Sequence, residues 1–108
     1  MAEAKGVSIE TFGLGREALE LVREVFRRHP EIREVKIFGS RATGHFADNS
    51  DVDLAVWGGL DLNVVGRIMR ELDELPLPYL FDVQAYDAIQ HPPLKQHIDD
   101  VGKTLYLT

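Results

Sequence analysis

Two short apolar runs limit what this chain can fold into. The first, Val35-Lys36-Ile37-Phe38, ends on Gly39-Ser40; the second, Asp51 to Trp57, closes on Gly58-Gly59. Apolar runs of this length, bounded by glycine, read as buried strands rather than helices. Ten residues, 41–50, lie between Ser40 and Asp51. That is a loop with room for one helical turn begun by Ser40. It is too short for the helical crossover that parallel neighbours require, so an antiparallel pair is expected.

The flanking sequence supplies the remaining elements. Residues 1–10 are polar and mixed, a frayed start. From Gly15 to His29, Leu19, Leu21, Val22, Val25 and Phe26 recur at helical spacing, and Pro30 stops the helix. Asp61 is the expected N-cap of a helix running to about Glu74, with Val64, Val65, Ile68, Met69 and Leu72 inward; Pro76 and Pro78 break it. Tyr79 to Tyr86 reads as a third strand, Leu94–Val101 as a short helix and Thr104 to Leu107 as an edge strand. A long helical crossover joins the 51–57 and 79–86 strands, so these two are expected to be parallel. The fold class is α/β (α+β): a mixed central sheet of about four strands flanked by helices. No internal repeat or low-complexity segment interrupts it.

The length of 108 residues predicts a single domain, 1–108. The absence of cysteine excludes disulfides, thiolate zinc sites and cysteine nucleophiles. No apolar run is long enough for a bilayer, and the first residues lack a signal-peptide layout, so no membrane association and a cytoplasmic location are expected. With 18 acidic and 12 basic side chains the net charge is −6. Extended contact with nucleic acid is not expected of such a balance, because polyanion binding rests on Lys and Arg.

Asp51 and Asp53 lie two apart in a strand, on one face and roughly 6.5–7 Å from each other along it. Carboxylates so placed suit a hard divalent cation, which is commonly held by one or two of them together with substrate phosphates. An acidic chain also produces such pairs by chance: Glu71 and Asp73 form another, on a helix face. The apolar strand around Asp51 and Asp53 sets them apart, since like charges on one face need a cation between them. That cation is either a metal or Arg41. Gly39 permits close backbone approach to a phosphate, and a helix start at Ser40 offers free N–H groups. The rival reading is a simple strand-ending turn; the phosphate loop of the Gly-x4-Gly-Lys-Ser/Thr type is absent. Asp82 sits in a third apolar run, where an unpaired buried acid is costly. It either pairs with Arg or Lys, or joins Asp51 and Asp53 at the metal. The four histidines show no metal-ligand spacing. Trp57 reads as packing or a partner contact, Tyr79 and Tyr86 as packing residues, and His45 as a solvated loop residue.

The string FGSRATGHFADNSDVDLAV, with Gly39, Ser40, Asp51 and Asp53 in place and Asp82 on a later strand, resembles the signature of the minimal nucleotidyltransferases of the DNA polymerase β-like superfamily. The tail HPPLKQHIDDVGKTLY is similar to that family's closing helix and strand. The resemblance implies transfer of a nucleoside monophosphate from an NTP to a hydroxyl, with release of pyrophosphate. It implies that Gly39, Ser40 and Arg41 bind the nucleotide, that Asp51, Asp53 and Asp82 are catalytic and hold two Mg²⁺ ions, and that ATP is the substrate. Stand-alone members of this size resemble antitoxins that adenylylate a tyrosine of a HEPN-domain ribonuclease toxin, which makes such a helical protein the implied partner. Thr43 stands where a basic residue is frequent in the family, and His45 and Phe46 occupy a spacer where small or polar residues are common. The short chain leaves the acceptor to be gripped by a partner or by another copy in a homo-oligomer. Two other functions fit the sequence: a binding module that neutralises its partner by contact alone, and a small-molecule nucleotidyltransferase.

Overall fold

A computed structural model of the chain describes residues 11–108. The frayed start expected for residues 1–10 lies outside the described residues. The elements run α1 (Arg16–Arg27), β1 (Ile32–Phe38), a helical turn α2 (Ser40–Thr43), β2 (Val52–Gly58), α3 (Leu62–Asp73), β3 (Phe81–Ala85), a 3₁₀ turn (Tyr86–Ala88), α4 (Pro92–Val101) and β4 (Lys103–Leu107). The strands form one mixed sheet in the order β3-β2-β1-β4. β1 is antiparallel to both β2 and β4, and β2 is parallel to β3 across the α3 crossover.

Local chemistry explains where the elements begin and end. α1 opens at Gly15, which has φ 87° and gives no side-chain cap. Its buried stripe is Ala18, Leu19, Val22, Val25 and Phe26; Leu21, expected inward, is only half-buried, and Ala18 takes the place on the core face. β1 starts at Ile32, earlier than expected, because the fully buried Ile32 pairs with Gly58 before an irregularity in the register. Asp61 caps α3 as expected, its carboxylate accepting from Val64 N–H at 2.9 Å. α4 starts at Pro92 rather than near Leu94, since proline in the first turn loses no helical hydrogen bond. β3 begins at Phe81, which leaves Tyr79 in the loop before it.

The two faces of the sheet are unequally covered. On one, α1 and α3 pack over Val35, Ile37, Val52, Leu54 and Val56 to make the main core. His29 at the end of α1 is buried and lies 3.0 Å from Glu71 of α3, joining the two helices. On the other face α4 covers a smaller cluster of Phe38, Ala55 and Ile98, edged by the stacked rings of Trp57 and Tyr86, 4.5 Å apart. Both aromatics therefore pack, as their sequence positions suggested. Beyond that cluster, where β1 ends and β2 and β3 begin, the face is open.

Candidate active site

The open end of this face gathers the acidic residues through register. Phe38 pairs with Asp53 across β1 and β2, and Asp53 pairs with Asp82 across β2 and β3. Neighbouring strands lie about 4.8 Å apart, so Asp53 and Asp82 are side by side on one face. Asp51 stands one residue before β2 and is exposed, as is Asp82; Asp53 is half-buried. The sequence puts Asp82 in a candidate central strand, where burial would require an Arg or Lys partner or a shared metal. It is instead on an edge strand facing open space, and the contact given for its carboxylate is with Gln84 Nε2 at 3.3 Å.

The turn after β1 abuts this row. Gly39 has φ 73°, and a Cβ placed there would run into Asp53 Oδ2. Only glycine lets the turn lie against that carboxylate. Ser40 and Arg41 open α2, so their main-chain N–H groups have no acceptor within the turn. Among the described residues the Ser40 hydroxyl makes no hydrogen bond in which it donates or accepts. A row of two carboxylates thus faces a turn that presents free donors.

The Arg41 side chain has a different setting. It is 1% exposed and lies between the rings of Phe46 and Tyr79, with its guanidinium carbon 5.0 and 4.9 Å from their centroids. Its Nε and Nη2 donate to Ser50 O, Nη2 also to Asp48 O, and Nη1 to Phe12 O. The guanidinium fixes the carbonyl immediately before Asp51. By sequence Arg41 is a candidate cation between the aspartates or beside a phosphate; in the fold each of its three side-chain nitrogens donates to a main-chain carbonyl.

Electrostatics at the row follow from the packing. Burial raises the Asp53 carboxyl above its ordinary value; the charges of Asp82 and then Asp51 add to this, and His97 opposes it. His97 was not singled out from the sequence. Its Nε2 accepts from Gly39 N–H at 3.2 Å, and its ring meets Phe38 edge-on at 6.0 Å. The link spans 58 residues, and no local pattern foretells it. His45 is exposed in the spacer, as expected.

Among the described residues no three acidic or histidine side chains lie close enough to form a ready metal cage. The donor chemistry nevertheless suits Mg²⁺, which takes one or two carboxylates and completes its shell with water and phosphate oxygens. The half-buried Asp53 beside Asp82, with its raised affinity for a proton, is the sort of like-charged pair a cation relieves.

A four-stranded mixed sheet with helices on both faces, an acidic row at one end and a glycine turn against it defines a nucleotidyltransferase fold. Residues 20–108 match the family described as polymerase β, nucleotidyltransferase, and the chain belongs to that family. Among solved structures, a toxin–antitoxin complex with AMP-PNP superposes with a TM-score of 0.70 at 25% identity, over 83% of this chain and 73% of that one. The toxin–antitoxin MntA–HepT gives 0.67 at 22% identity, over 87% and 74%. A complex of the tri-AMPylated Shewanella oneidensis HEPN toxin with its MNT antitoxin gives 0.65 at 21% identity, over 85% and 71%. The last two likenesses establish the fold alone. A search of curated proteins gives no match. Among the described residues no helix is long and apolar enough to cross a membrane.

Proposed function

We propose that the chain acts as a single minimal nucleotidyltransferase domain, transferring AMP from ATP to a tyrosine hydroxyl of a HEPN ribonuclease toxin and thereby serving as its cytoplasmic antitoxin. The observation that carries this reading is the in-register pair Asp53 and Asp82 beside the Gly39-Ser40 turn. The solved toxin–antitoxin complexes, one with AMP-PNP and one with a tri-AMPylated HEPN toxin, support the choice of nucleotide and partner.

In this reading Asp51, Asp53 and Asp82 hold two Mg²⁺ ions, which when bound neutralise the triphosphate and stabilise the attacking and leaving oxygens. The turn receives the β and γ phosphates on the Ser40 and Arg41 main-chain N–H groups and the Ser40 hydroxyl. The acceptor oxygen bonds to the α-phosphorus, the bond from that phosphorus to the β-bridging oxygen breaks, and pyrophosphate leaves. Asp82, which is exposed on its edge strand, takes the hydroxyl proton as the bond forms in this reading. Arg41 contributes through its backbone, while its side chain steadies the loop that carries Asp51.

The test is incubation with α-labelled ATP, Mg²⁺ and a HEPN-domain toxin. Label is expected on the partner with the wild-type chain and not with Asp53→Asn. Equal labelling by the variant refutes the reading. Neutralisation of the partner by both proteins without any label supports the contact-only alternative. Labelling of a hydroxylated small molecule in the absence of partner supports the other.

A further inference from the structure

We infer that His97 is a positioning residue that presets the phosphate turn through Gly39, a role that rests on the nucleotidyltransferase reading above. α4 is seated by the fully buried Ile98 against Phe38 and Ala55. The preceding residue, His97, thereby comes to the end of β1, edge-on to Phe38. A main-chain N–H can only donate, so His97 Nε2 is the acceptor of the Gly39 N–H at 3.2 Å. The bond has two consequences. It takes the Gly39 N–H out of phosphate binding, which leaves that task to the next two N–H groups. It also anchors the peptide on the near side of a residue at φ 73°. Glycine has the widest conformational freedom of any residue, and an unanchored Gly39 would let those donors turn away from the carboxylate row. No base acting from α2 or the spacer makes this contact; the turn is held from α4, an element at the far end of the chain.

The experiment combines four readouts on wild type, His97→Ala and His97→Gln. Glutamine is chosen because its amide oxygen restores an acceptor. In isotope-labelled wild-type protein, a nitrogen–nitrogen coupling is expected across the Gly39 N–H to His97 Nε2 bond. In His97→Ala the Gly39 amide is expected to exchange with solvent about 5-fold faster, and AMP-PNP with Mg²⁺ to bind about 5-fold more weakly. Saturated transfer rates should change by less than about 2-fold, since the loss falls on ground-state placement of phosphates. His97→Gln should recover most of both losses. Absence of the coupling, or wild-type exchange and affinity in a folded His97→Ala, overturns the inference; so does a His97→Gln protein no better than alanine. Should the wild-type protein bind no AMP-PNP, the function proposed above fails on its own, while coupling and exchange still decide whether His97 anchors the turn.

Discussion

Asp53→Asn is expected to make the metal-free protein more stable while removing its activity. The reason lies in the register: Asp53 and Asp82 are direct neighbours on parallel strands. Strands about 4.8 Å apart put the two carboxylates on the order of 5 Å from each other. Unit charges at about 5 Å repel by roughly 3 kcal/mol at an effective dielectric near 20 and by roughly 1 kcal/mol in water. Asp82 is exposed and Asp53 half-buried, so solvent screening favours the lower figure. The variant should therefore gain about 1 kcal/mol, or about 4 °C in Tm. The pH dependence has a definite sign. Burial, with Asp82 and Asp51 behind it, raises the folded-state value of Asp53 above 3.8. Between the unfolded and the raised folded values the native chain holds the extra proton, so wild-type stability falls as pH rises through that window. The advantage of the variant is complete above the window and fades as pH falls towards 3.8. Thermal unfolding in chelator from about pH 4 to pH 8 measures it. Added Mg²⁺ should raise the wild-type Tm and leave that of the variant unchanged. A variant less stable than wild type at neutral pH, or a gap that does not depend on pH, refutes the repulsive pair.

Three further outcomes follow from the same geometry. Arg41→Lys keeps the charge but cannot fork to Phe12, Asp48 and Ser50, so unfolding by denaturant should show a loss of about 2–3 kcal/mol. Gly39→Ala places a Cβ against Asp53 Oδ2; by circular dichroism the variant should remain folded, with transfer reduced about 100-fold as the carboxylate is displaced. At Glu71, burial works to raise the carboxyl, but the hydrogen bond and charge of His29, and then those of Arg28, bring it below 4.5. Its contribution is present above 4.5 and lost as pH falls through the lower folded value, so Glu71→Gln should flatten the acid limb of the stability profile.

Much of this architecture could be read from the chain because its signals are local. Asp61 before an apolar helix, prolines 76 and 78 after it, and glycines at strand ends mark their own boundaries. The antiparallel and parallel pairings follow from connection length alone. The site is legible only in part. Periodicity put Asp82 in a strand, but its place directly beside Asp53 is a matter of register, and its exposure comes from β3 being an edge. Arg41 looked like a cation for the aspartates because Phe46 and Tyr79, 33 residues apart in sequence, gave no sign that they enclose it. His97 stayed hidden for the same reason: its bond to Gly39 joins residues 58 apart in sequence that only the folded sheet and α4 bring together.

The most direct test of the account is a crystal structure of the chain with Mg²⁺ and AMP-PNP. Metal density is expected between the triphosphate and the carboxylates of Asp51, Asp53 and Asp82, with the β and γ phosphates on the Ser40 and Arg41 N–H groups. Nucleotide bound away from the Gly39 turn, or metal held without Asp53, contradicts it.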